Sequence, residues 1–208
     1  MKTKVISTTA LIGAAYLTII SLLFILLPKV MTSFIYTSIP IEVVFVLVSA
    51  ISFISLAVFF AFFPSFKTYG WSRLSSWILA VCLSFTAFFL IIQSIKIGMG
   101  LEGFSVIYSR LMFFMPLLIA ALLYYFFTQY VKTEETLSTV EIRILQYARI
   151  VMAVPIVLSI LLFIHKISTS PFSDWIYNNR VFINQFSGFL AYSVLVVFLL
   201  IFIRRYDK

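Results

Sequence analysis

Residues 43–63 read "VVFVLVSAISFISLAVFFAFF", a run with no charged residue that is apolar on every face. A helix needs roughly 20 apolar residues to cross a hydrocarbon core of about 30 Å, and this run supplies them. Strands of a membrane barrel would alternate polar and apolar residues in segments of about ten. The run therefore reads as a membrane-spanning helix.

Five further stretches have the same character: Val5–Pro28, Trp77–Ile95, Leu111–Phe127, Leu145–Ile164 and Val181–Ile203. The fourth in chain order, Leu111–Phe127, is short, but Tyr108 before it and Thr128, Gln129 and Tyr130 after it can sit at the interfaces. Arg149 lies near the start of the fifth, where a long side chain can reach the headgroups. Composition agrees. The 208-residue chain is 63% hydrophobic and 11% charged, with a mean hydropathy of +1.14. Soluble domains are about 45–50% apolar and about 25% charged. The expectation is an all-α membrane protein of six transmembrane helices in one bundle, with spans near 5–28, 41–63, 74–96, 108–130, 145–165 and 181–203. No connection is long enough for a soluble core, so residues 1–208 read as a single membrane domain.

Lys2 and Lys4 ahead of the first run look like the start of a signal peptide. The apolar stretch, however, exceeds the usual h-region of about 7–15 residues, and no small-residue cleavage site follows. It is kept as the first span. The single Cys82 permits no intramolecular disulfide and no cysteine metal cluster.

The short loops bring the positive-inside rule into play. Lys2, Lys4, Lys67, Arg73, Lys132, Arg143, Arg149, Arg204, Arg205 and Lys208 fall on one side. Only Lys29, Lys96, Arg110, Lys166 and Arg180 fall on the other. Both termini are therefore expected in the cytoplasm, and the protein in the inner or plasma membrane as a multi-pass component. "STVE", Ser138 to Glu141, has the spacing of a capping box that would start the fifth span. Trp71, Trp77, Tyr130 and Tyr147 would anchor the inner boundary; Tyr108, Trp175 and Tyr177 would anchor the outer one.

One apparent motif dissolves on inspection. Gly98, Gly100 and Gly103 match G-x-G-x-x-G, but in dinucleotide sites that motif joins a strand to a helix and is answered by an acidic residue about twenty positions on. Here it follows a membrane helix, contains Glu102, and is followed at that distance by apolar Leu122 and Leu123. The glycines read as a turn, because glycine accepts the positive φ that tight turns need.

The remaining polar residues cluster by depth. Glu42, Gln93, Lys96, Arg110, Asn184 and Gln185 all fall within a few turns of the outer surface. Two readings stand side by side: a shared, outward-opening polar cup, or anchors that snorkel into headgroups. Asn184 and Gln185 argue most for the cup, since uncharged amides have no electrostatic reason to seek headgroups. The alternative for these two is glue between helices, worth about 0.6–2 kcal/mol each. His165, the only histidine, ends the fifth span, as an interfacial residue or a titrating sensor.

No carboxylate pair, H-E-x-x-H or G-x-S-x-G occurs in the apolar runs, and paired haem ligands are missing. No enzymatic activity, cofactor, metal or nucleic-acid partner is expected. Pro116 and Pro155 interrupt apolar runs without an ionisable neighbour and read as kinks.

The first span carries small residues at Ala10, Gly13 and Ala14, and the sixth at Ser187, Gly188 and Ala191. Such faces allow close helix approach, within the bundle or with another membrane protein. Six helices, about 200 residues, inward termini and A-x-x-x-A at Ala10 and Ala14 together resemble the substrate-binding S components of energy-coupling-factor vitamin transporters. The resemblance covers that motif and the topology. It implies a transmembrane partner at the first helix and a ligand in an outward pocket. The glycine-rich polar outer loops of that family are missing here. The expected role is a ligand-recognising or partner-binding subunit of a larger membrane complex, its small-molecule ligand unspecified, with a standalone permease as the alternative.

Overall fold

A computed structural model describes residues 2–67, 69–100, 106–135, 137–165 and 179–206, without the side chains of 106–114, 162–165, 180, 181 and 206. Regular structure among the described residues is helical throughout: α1 (Lys2–Leu26), α2 (Pro28–Ile35), α3 (Ile39–Phe66), α4 (Gly70–Gly98), α5 (Val106–Thr133), α6 (Thr139–His165) and α7 (Arg180–Tyr206). Helices α1, α3, α4, α6 and α7 are each long and apolar enough to cross a membrane. Helix α5 has 28 residues, a length of about 42 Å at 1.5 Å per residue.

Large apolar side chains face outward along the long helices, among them Ile12, Ile51, Val81, Ile150 and Leu200. Water would not tolerate such a surface, whereas hydrocarbon does. The chain is thus a helical membrane-embedded protein.

Most helices extend beyond the apolar runs that mark them, and the first ends within two residues of the expected Pro28. Leu27 leaves helical geometry at φ −132°, ψ 53°, and Pro28 opens the short α2. Proline suits that first position because its missing N–H has no helical partner there anyway. At the far end of α4, Gly100 takes φ +65°, the left-handed conformation that favours glycine after a helix end. Its N–H donates to the carbonyl of Ile97 at 3.0 Å. Gly98 is the last residue of α4, so these two glycines end a helix and turn the chain; Glu102 and Gly103 lie outside the described residues.

Short connections make consecutive helices neighbours. Helix α1 packs on α3, α3 on α4, α4 on α5, α5 on α6, and α6 on α7; α7 then returns to α1. Six long helices thus close a ring in chain order. The closure uses small residues. Ala10 and Ala14 are fully buried, and a Cβ placed on Gly13 would stand 2.9 Å from the Ser52 carbonyl oxygen of α3. On α7, a Cβ at Gly188 would stand 3.3 Å from the hydroxyl of Ser21 on α1. The face of Ala10, Gly13 and Ala14 is engaged within the chain, and Gly188 on the small-residue face of α7 stands against Ser21 of α1.

One half of the ring is filled. At the end where α3, α5 and α7 finish, Phe59, Phe60, Phe63, Phe126, Phe127, Tyr130, Phe198 and Phe202 are all fully buried. Phe63 and Phe126 meet at 4.9 Å between centroids, Tyr130 and Phe198 at 5.1 Å, and Phe59 and Phe202 at 5.2 Å. Most of these pairs are edge-on, the arrangement favoured by aromatic quadrupoles and worth about 0.5–1.5 kcal/mol per pair beyond burial.

A polar clasp surrounds this plug. Lys67, after α3, pairs with buried Glu134, after α5, at 2.7 Å. Tyr69 donates its hydroxyl to the same carboxylate at 2.9 Å, and Trp71 donates its indole N–H to Thr133 at 3.2 Å. Burial and the Glu134 carboxylate raise the Tyr69 pKa, keeping the phenol a donor. Arg205 of α7 pairs with Glu141 of α6. The box at Ser138 forms as its spacing implies: the Ser138 N–H donates to Glu141 at 2.9 Å, and the Glu141 N–H donates back to the serine hydroxyl oxygen at 3.3 Å. Ser138→Ala is expected to cost about 1 kcal/mol, read as a lower denaturation midpoint in mixed micelles, while Ser138→Thr keeps most of the stability.

Candidate functional site

The other half of the ring is not filled. Between the helices lies a cavity of about 380 Å³. Its walls come from the halves of α1, α3, α4, α5 and α7 away from the aromatic plug. Phe53 of α3 and Tyr192 of α7 meet edge-on at 6.0 Å on the plug side of the cavity. Phe24 and Phe45 meet at 6.1 Å nearer the opposite rim.

The lining has two chemically different walls. Toward α3, α4 and α5 it is apolar, with Phe45, Phe53, Leu90, Met115 and Ile119. Ser49 and Thr86 stand in that wall, but each hydroxyl donates to its own helix backbone, Ser49 to Phe45 and Thr86 to Cys82, both at 3.0 Å. Toward α1 and α7 the wall carries Ser21, Asn184, Gln185, Ser187 and Tyr192. Among the described residues these five side chains make no hydrogen bond to protein. Ser21 and Ser187 are nevertheless buried, at 5% and 6% exposure. The wall thus presents hydroxyls and amides that no described protein group engages.

Of the six residues expected around an outer cup, two lie in the lining of this cavity. Asn184 and Gln185 line the cavity, as do Ser187, Gly188 and Ala191 from the small-residue face of α7. Glu42, in the first turn of α3, and Gln93 and Lys96, near the end of α4, are half-buried at the same end but stand outside the lining. Among the described residues neither Glu42 nor Lys96 forms an ion pair. Arg110 belongs to α5 and His165 ends α6, but their side chains lie outside the described residues, as do Tyr108, Lys166, Trp175 and Tyr177.

Tyr192, Ser21 and the apolar wall carry no sequence signal at the level of single residues. The helical face of α7 could have revealed one of them. Asn184, Gly188, Ala191 and Tyr192 recur at the spacing of one helical stripe, which places Tyr192 below the two amides.

Ala10 and Ala14, which carry the resemblance to S components, are buried against other helices of the same chain. Among the described residues no group of three or more His, Cys, Asp or Glu could hold a metal ion. Comparison with family models, curated proteins and solved structures finds no match to the chain.

Proposed function

We propose that this chain is a non-catalytic, multi-pass protein of the inner or plasma membrane that recognises a small molecule in the cavity on behalf of a larger membrane complex. In this reading all six long helices cross as a single domain, with both termini and the aromatic plug on the cytoplasmic side. The cavity then lies in the outer half of the bilayer. The basic residues support this orientation, since Arg204 and Arg205 end α7 beside the plug.

The observation that carries the proposal is a cavity with an unpartnered polar wall above an aromatic seal. A ligand can be held there without a path to the other side. Passage would require Phe63, Phe126, Phe198 and their neighbours to part, together with the Lys67–Glu134 bridge, so a recognition subunit is favoured over a standalone permease. Among the described residues the lining contains no carboxylate, imidazole, thiol or amine, so its hydroxyls have no base beside them to activate them, which supports a binding role.

Purification from the native membrane in mild detergent tests the proposal. The expected result is a stoichiometric membrane partner together with a bound small molecule, the latter lost from an Ala191→Phe variant that fills the cavity. A lone protein that moves a solute across reconstituted vesicles would overturn the subunit reading in favour of a permease.

A further inference from the structure

Resting on the cavity being a binding site, we infer that its ligand is an uncharged amphipathic molecule, with hydrogen-bond donors and acceptors along one edge and an apolar body opposite. Carboxylates, phosphates and ammonium ions are disfavoured, because they find no counter-charge among the described lining residues.

The first argument is charge. Among the described residues no Asp, Glu, Lys, Arg or His lines the cavity. An ion brought into a low-dielectric site without a counter-charge loses its hydration and gains nothing equivalent. Charged residues are close by in sequence, at Glu42 and Lys96, yet both stand outside the lining, so the site does not use them.

The second argument is the division between walls. Ser21, Asn184, Gln185, Ser187 and Tyr192 share the α1–α7 side. The absent side chain of Gly188 lets this side stay continuous, because its Cβ would approach both the Ser21 hydroxyl, at 3.3 Å, and the Tyr192 ring, at 3.2 Å. Amides and hydroxyls each offer both a donor and an acceptor. Their natural complement is a group that does the same without charge: a carboxamide, a ureide, an alcohol or a phenol. The opposite wall, with its phenylalanines, Leu90, Ile119 and the adaptable Met115, suits an apolar body. A volume of about 380 Å³ lies within the usual range of small-molecule sites, roughly 300–1,000 Å³. Both a membrane-dissolved lipid alcohol and a water-soluble amide have this chemistry.

The test uses the full-length protein in lipid nanodiscs and three probes of one shape: 2-naphthamide, 2-naphthoate and 2-naphthylmethylammonium. Dissociation constants come from the ligand-dependent rise of the unfolding midpoint. The amide is expected to bind at least about tenfold more tightly than either ion. Exchanging both amide side chains, Asn184→Leu with Gln185→Leu, should weaken amide binding about tenfold. Tyr192→Phe, which conserves volume, should weaken it several-fold if the double variant fails to fold.

Equal or tighter binding of an ion that Ala191→Phe abolishes would overturn the ligand class and leave the site standing. Amide binding that survives Ala191→Phe would place the molecule outside the cavity and overturn the site itself. No binding by any probe would overturn both. Mass spectrometry of an organic extract of protein from its native membrane separates the two sources. A neutral lipid or a neutral soluble amide supports the class, and a charged compound overturns it.

Discussion

Phe63→Ala is expected to destabilise the protein by about 3 kcal/mol, seen as a lower midpoint of unfolding in mixed micelles. Phe63 is fully buried and touches Phe59, Phe126, Tyr130, Phe198 and Phe202, so one ring joins α3, α5 and α7. In a bilayer the surrounding tails are as apolar as the core, and transfer from water contributes little to helix association. What the substitution removes is dispersion between closely packed rings, leaving a void that rigid neighbours cannot close. The effect is therefore placed at the lower end of the range for Phe→Ala in soluble cores. Phe62, one residue earlier, is 50% exposed on the outer face. Phe62→Ala exchanges ring contacts for lipid contacts and should cost less than about 1 kcal/mol. Equal losses at the two positions would show that the plug does not hold the ring together.

Gly13→Leu should have an effect of similar size, about 3 kcal/mol or failure to fold, through excess volume rather than its loss. The backbone of α3 leaves no room for a side chain there. A Cβ on Gly13 would stand 2.9 Å from the Ser52 carbonyl oxygen and 3.2 Å from the Ser52 Cα, and neither is the free end of a side chain that can swing away. Helices α1 and α3 would have to separate, and the α1–α7 seam that closes the ring would shift with them. Ile12, its immediate neighbour, is 65% exposed, and Ile12→Leu should leave the unfolding midpoint unchanged. Yield and monodispersity of the two variants, followed by the midpoint where both fold, check the contrast.

The legible parts of this protein are those set by local chemistry. The membrane class follows from runs such as 43–63, because a bilayer imposes length and hydrophobicity on any helix that crosses it. The capping box at Ser138 and Glu141 and the turn at Gly98 and Gly100 are equally local. A reciprocal hydrogen bond three residues apart and a backbone at positive φ depend on the residues involved, not on distant partners. The end of the first span is legible at Pro28, close to the observed break at Leu27, but the short α2 that follows is not, because nothing local to Pro28–Ile35 distinguishes a helix from a loop.

The candidate site divides along the same line. Asn184 and Gln185 stand out because a polar amide in an apolar run is conspicuous by composition alone. Tyr192, Ser21, Phe53 and Met115 do not, since each is an ordinary residue of a membrane helix. Glu42, Gln93 and Lys96 share the right depth but not the right face, and depth is all that a linear reading measures.

From the sequence alone come helices, membrane and the level of the polar groups, because hydrophobic length and charge act on each segment independently. Tertiary structure decides which faces meet: an aromatic plug at one end of the ring, a two-walled cavity at the other, and the small-residue stripe of α1 packed against α3. These features depend on the rotation of each helix about its own axis. Where every face of a helix is apolar, no contrast between faces tells it which way to turn, and only the fit of side chains from distant segments sets that rotation.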